Sequence, residues 1–161
     1  MRVVVISGYF NPLHVGHLDY IKASYALGDR LIVIVNNDNQ VKIKGSTPFM
    51  SEHERMSIVS AIKGVSRTVL SIDTDRSVVK TLASIYDEYS VDYFFDSMVF
   101  ANGGDVTNAN SREDQYCESM GINAVYNVGG GKTQSSSTLL EKDLAVQNEH
   151  NLYRDGYRKF N

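Results

Sequence analysis

Apolar positions fall in short continuous blocks along this chain, and helix-like spacings fill the stretches between them. Arg2 to Ser7 is a β-branched run that stops at Gly8. A run apolar at successive rather than alternate positions is the pattern of a strand covered on both faces, as in a parallel sheet. Leu31 to Val35 repeats it. Thr68 to Ile72, a stretch from Val91 to Ala101 interrupted by Asp96-Ser97, and Asn123 to Val128 predict three more strands. Between the first two, His17 to Leu27 carries Leu18, Ile21, Ala23, Tyr25 and Leu27 at helical spacings, with Gly28 as its stop. Ser51, with Glu54 three residues on, reads as a capping box. The helix it opens runs through Met56, Val59 and Ile62 to Gly64. Ser77 to Tyr89 puts Val78, Leu82, Ile85 and Tyr86 on one side, and Ser111 to Met120 is a helix stopped by Gly121. Lys42 to Pro48 reads as a basic, turn-rich loop, and Ser135 to Thr138 caps a last helix near Leu139.

Strands alternating with helices predict an α/β fold: a Rossmann-like, doubly wound, parallel five-stranded sheet in three layers. Such sheets bind ligands outside the carboxyl ends of their strands. The unusual residues should lie in the loops found there. GYFNPLHVGH follows the first strand, VNNDNQVKIKG the second, ANGGD the fourth and GGGKTQSSST the fifth.

Composition narrows the picture. The chain has 161 residues, 42% hydrophobic and 22% charged, which suits one globular domain. Its net charge of −3 argues against a general nucleic-acid binder, while a local basic pocket can still take a small anion. The single cysteine, Cys117, excludes an internal disulfide framework. No apolar run approaches the ~20 residues that span a bilayer. The opening segment is too short for a signal peptide, so a cytoplasmic protein with no membrane partner is expected.

The first loop is the richest in chemistry. His14 and His17 stand three apart at a predicted helix start, where unpaired backbone N–H groups attract phosphate. Gly8 and Gly16 leave room for a phosphate against the backbone, and Pro12 stiffens the turn. Zinc binding by the pair is disfavoured, because no third ligand lies at a suitable spacing. Gly131-Lys132-Thr133 is not a P-loop, since position 126 is Tyr where that pattern needs Gly. Lys132 remains a possible phosphate contact.

GYFNPLHVGH resembles the HxGH signature of the nucleotidylyltransferase superfamily, which includes the cytidylyltransferases. LGDRLIVIVNNDN, KIKG, SEHERM, ANGGD and SSST follow in that family's order over almost the whole chain. The stretch ALGDRLIVIVNNDNQVKIKG looks most like the adenylyltransferase domain of bifunctional heptose enzymes, with glycerol-3-phosphate cytidylyltransferase second.

The resemblance implies transfer of a nucleoside monophosphate from CTP or ATP to a small phosphorylated sugar or polyol. It implies a transferase domain at residues 1–142, a tail at 143–161, and a homodimer. His14, His17 and Lys44 would be catalytic. Tyr9, Phe10 and Asn11 would sit beside the nucleotide, Lys42 and Lys44 would grip the α-phosphate and the acceptor phosphate, and Arg55 would contact phosphate. Gly104 and Asp105 would lie near the nucleoside, and Ser136, Ser137 and Thr138 would hold the outer phosphates. Mg²⁺ would arrive on the triphosphate, with no protein ligands of its own. Leu139 and Leu140 stand where pyridine-nucleotide adenylyltransferases end this motif in Arg, which weakens a dinucleotide-synthesis reading. Two rivals stay open: an adenylyltransferase for a vitamin-derived phosphate of the FMN or phosphopantetheine type, and a nucleotide sensor without turnover.

Overall fold

Four consecutive residues of the first strand, Val3 to Ile6, lie entirely out of water, and they alternate between two cores. That is the physical content of a continuous apolar run: the strand has a covered layer on each side. In the computed structural model, which describes residues 1–104 and 111–130, this strand is β1 (Arg2–Gly8), the centre of the sheet. The elements that follow are α1 (Val15–Tyr25), β2 (Arg30–Val35), α2 (Asp38–Ile43), α3 (Glu52–Ser60), β3 (Arg67–Leu70), α4 (Val79–Ser90), β4 (Ser97–Gly103), α5 (Arg112–Met120) and β5 (Asn123–Val128). All pairings are parallel and the order is β3-β2-β1-β4-β5. The chain winds outward to β3, then returns past β1 to β4, so the topological switch lies between β1 and β4.

The two cores divide the layers. Val4, Ile6, Leu31 and Val33 pack with Ile21 of α1 and Val59 of α3. Val3, Val5, Ile32 and Ile34 pack with Leu82 and Ile85 of α4 and Cys117 of α5. Each such side chain contributes about 1.5–3 kcal/mol by leaving water. The predicted three-layer, doubly wound sheet is the observed architecture.

Boundaries differ where polar chemistry overrode the apolar pattern. The polar stretch after β2 and part of the expected Lys42–Pro48 loop form α2 instead. Asn37 caps it, and Gln40 completes the box by accepting from the Asn37 backbone N–H at 3.0 Å. Ser51 does cap α3, taking the Glu54 N–H at 3.3 Å. The start of the fourth strand, which the apolar pattern leaves ambiguous, is fixed by the turn before it. Val91 to Asp96 turns back on itself, with Phe95 N–H donating to the Asp92 carbonyl, and pairing begins at Ser97. Gly121 ends α5 in the left-handed region (φ 70°), the conformation its missing Cβ permits. The motif Ser136-Ser137-Thr138, with Asp105, Lys132 and the 143–161 tail, lies outside the described residues.

Candidate active site

The loop from β1 to α1 is built from its buried members upward. Phe10 is held at positive φ (51°) with its side chain in the core. Its ring fills the space a Cβ on Gly8 would need, 2.7 Å from that position, so the glycine makes room for the ring. Phe10 also meets His17 edge-on at 5.0 Å between ring centres. Asn11 is buried and ties this loop to the next. Its Nδ2 donates to the Thr47 carbonyl at 2.9 Å, and its Oδ1 accepts from Phe49 N–H at 2.5 Å.

On this base sits the histidine pair. His14 is the N-cap of α1, and the two imidazoles close a capping box usually made by hydroxyl and carboxamide groups. His14 Nδ1 accepts from Gly16 N–H at 3.0 Å, and His17 Nδ1 accepts from His14 N–H at 3.1 Å. The rings stack with centres 3.8 Å apart. An Nδ1 that accepts a hydrogen bond carries no proton, so each neutral ring keeps its hydrogen on Nε2. The box therefore fixes both tautomers as Nε2–H donors, side by side at a helix start whose dipole already favours an anion.

Lys44, at the C-cap of α2, brings its Nζ over the Tyr9 ring, 4.3 Å from the centre. Lys42 is exposed on α2, two residues earlier. Burial raises the Tyr9 hydroxyl above its ordinary pKa, against the lowering charge of Arg76. Arg55 lies beneath these loops and is fully buried. Its Nη1 donates to the carbonyls of Tyr9 (2.7 Å) and Asn36 (2.6 Å), its Nη2 to Asp38 Oδ1 (2.8 Å) and its Nε to the Met50 carbonyl (3.1 Å). One guanidinium thus joins the loops that follow β1 and β2 to the start of α3.

At the neighbouring strand, Gly104 follows β4. A Cβ there would stand 1.9 Å from the Gly130 carbonyl oxygen and 3.2 Å from Asn127 Oδ1, so only glycine lets the ends of β4 and β5 approach this closely. The Tyr20 hydroxyl of α1 donates to the Ala101 carbonyl, drawing the His-bearing helix to the end of β4.

The structure brings Tyr9, His14, Gly16, His17 and Lys44 to one end of the sheet, with Gly8, Phe10, Asn11 and Arg55 supporting them. Sequence reasoning passed over Arg76, in the loop after β3, and the network that Asn37 makes with the buried Gln40. The signal for the first was an arginine just past the carboxyl end of a parallel strand. The signal for the second was the N-x-x-Q spacing of a capping box.

A family model described as cytidylyltransferase-like matches residues 5–126. A protein named FAD synthase from Thermoplasma volcanium is 35% identical over 82 residues, covering 51% of this chain and 56% of that one. The bifunctional protein HldE of Shewanella amazonensis is 38% identical over 113 residues, covering 65% of this chain and 24% of that one. The chain thus spans about half the length, or less, of these curated relatives. Among solved structures, one described as the lipopolysaccharide core biosynthesis protein from Thermoplasma volcanium superposes with a TM-score of 0.61 at 25% identity, covering 82% of this chain and 99% of that one.

Proposed function

The chain belongs to the cytidylyltransferase-like family, and from that premise we propose that it is a nucleotidylyltransferase acting on a small phosphorylated acceptor. The observation that carries this reading is the stacked His14–His17 pair, locked as two Nε2–H donors at the helix start nearest the topological switch. A cap needs one acceptor side chain; two rings with fixed tautomers suit a polyphosphate.

In the proposed reaction an oxygen of the acceptor's phosphate attacks the α-phosphorus of a nucleoside triphosphate in line. The bond from that phosphorus to the bridging oxygen breaks, and pyrophosphate leaves with the electron pair. The attacking oxygen is already ionised, so no side chain need take a proton. The barrier lies in bringing two anions together and in stabilising the charge that spreads over the α-phosphate oxygens. His14 and His17 would donate to that group, with Lys44 beside them as a point charge. Gly16 would keep the helix start open to phosphate, and Gly104 with Asp105 would border the nucleoside. Ser136, Ser137, Thr138 and Lys132 would hold the outer phosphates, and Lys42 the rim. Arg55 acts in this scheme through the backbones it ties together. Among the described residues no group of three or more His, Cys, Asp or Glu side chains could hold a metal ion. The donors gathered here, imidazole N–H and ammonium, suit phosphate oxygen rather than Mg²⁺. The metal would enter as part of the triphosphate complex.

Two acceptor classes compete. A sugar or polyol phosphate fits the likeness to HldE; FMN fits the likeness to proteins named FAD synthase. A matrix of the four triphosphates against heptose 1-phosphate, glycerol 3-phosphate, phosphoethanolamine, phosphopantetheine and FMN, followed by pyrophosphate release, separates them. Nucleotide binding with no pyrophosphate for any pair would replace the transferase reading with that of a sensor.

A further inference from the structure

The loop between β3 and α4 holds an arginine that the reading above leaves unused. Arg76 is exposed, yet the backbone on both sides of it is firmly tied. The fully buried Gln40 donates through Nε2 to the carbonyls of Asp75 and Ser77, at 2.8 Å each. Asp75 Oδ1 accepts from the Ser77 N–H (2.9 Å) and hydroxyl (2.7 Å), closing a turn around Arg76. From α5, Arg112 pairs with Asp75, and Glu113 Oε1 accepts from Val78 N–H at 2.8 Å. A connecting loop needs none of this; a loop that must present one side chain in a fixed place does.

Arg76 is the cation whose charge acts most strongly on the Tyr9 hydroxyl, and Lys44 Nζ sits 4.3 Å from the centre of the same ring. Cations from two separate loops therefore converge on one tyrosine. The carboxylate whose charge reaches Tyr9 is that of Glu113, which accepts from the Val78 N–H. Among the described residues Arg76 itself forms no ion pair. Tyr9, Arg76 and Lys44 thus group one hydroxyl with two cationic side chains.

We propose that Arg76, seated with Tyr9 and Lys44, binds the phosphate of the acceptor and is the residue that selects a phosphorylated acceptor over its unphosphorylated counterpart. This rests on the transferase reading and adds to it a specificity residue from the third loop. The test is Arg76→Ala and Arg76→Lys, assayed with the acceptor that turns over fastest in the matrix above. Arg76→Ala should raise the acceptor KM about tenfold to a hundredfold, the worth of one charge-assisted hydrogen bond. The triphosphate KM should stay within about twofold, and Arg76→Lys should recover part of the loss. An acceptor KM within about twofold of wild type, or equal rises in both KM values, overturns the assignment while leaving the transferase intact. If the wild type releases no pyrophosphate with any pair, the transferase reading is what fails. The anion seat is then judged by ³¹P line broadening of inorganic phosphate: broadening lost in Arg76→Ala keeps it, and unchanged broadening removes it.

Discussion

At the carboxyl end of the sheet buried polar side chains cluster; at the amino end the turn before β4 leaves its apolar side chains in water. Asn11, Asn36, Gln40, Arg55 and Asp73 all lie buried in or beneath the loops that follow β1, β2 and β3. Each has partners: Asp73, for instance, receives the N–H groups of Lys80 and Thr81 and the Thr81 hydroxyl. At the opposite end, Val91, Tyr93 and Phe94 stand 83%, 93% and 70% exposed in the turn before β4. Burying a polar group costs free energy unless its hydrogen bonds are replaced. The molecule meets that demand repeatedly at one end and scarcely at the other. The physical lesson is that the first three carboxyl-end loops are joined through buried side-chain hydrogen bonds, while the amino-end turn before β4 is tied at its exposed surface, to Met1.

The sharpest test of this contrast sets one ion pair from each end against the other. Arg55 and Asp38 form a pair with the guanidinium fully buried, whereas Arg67 and Glu88 pair in the open at the amino end. Arg55→Met should destabilise the fold by about 3–5 kcal/mol, since Asp38 and three carbonyls lose their donor. Arg67→Ala should cost about 0–1 kcal/mol. Denaturant midpoints measured on both variants decide it, and similar losses would erase the distinction.

Next in size is His17→Ala. It should lower turnover about 10²–10³-fold, as for loss of one preorganised donor to a developing charge. The fold should survive, because loss of a capping contact costs only about 0.5–2 kcal/mol. Steady-state kinetics with a parallel melting curve separate the two effects. Full activity in this variant would remove the imidazole from the proposed chemistry.

Gly104→Ala probes whether the far pair of loops is equally tight. The added methyl would lie 1.9 Å from the Gly130 oxygen, so backbone must shift, at about 1–3 kcal/mol. A neutral result in thermal melts would mean that this part of the rim is pliable.

The alkaline limb of the stability curve reports on the α5 side. Burial pushes the Cys117 thiol up to about 12, and the hydrogen bond to Asp114 pushes the Tyr126 hydroxyl up to about 12. Both groups are raised in the folded state, so their contribution is complete below the unfolded values of 9.0 and 10.0 and is lost as pH climbs toward 12. Stability should fall across that window, and replacing Cys117 by Ala should flatten the first part of the fall. The smallest effect is expected from Tyr93→Ser and Phe94→Ser. Both should leave stability within about 0.5 kcal/mol and leave turnover unchanged.

Much of this was written in local pattern. Runs such as Val3 to Ile6 declare strands covered on both sides, because they are short, β-branched and closed by glycine, where a buried helix would run longer. Ser111, Gly121 and Ser51 declare helix ends through their own hydrogen bonds or backbone freedom. The pair His14 and His17 was legible as a helix-start pair, since residues three apart meet on one turn whatever surrounds them. The short helix Asp38–Ile43 was missed because its Asn-x-x-Gln cap lies inside a polar stretch with no apolar period to mark it.

The chain alone therefore determined the order of the five strands, the doubly wound sheet and the place of the histidine pair. The tertiary structure decided the rest. Arg55 reaches the Tyr9 carbonyl across 46 positions of sequence, and Gln40 reaches Ser77 across 37. Whether a basic side chain becomes a buried tie, like Arg55, or an exposed cation at the rim, like Arg76, depends on which loops the winding of the sheet brings together. No local spacing records that convergence, because it is set by strand order and by the burial each distant partner supplies.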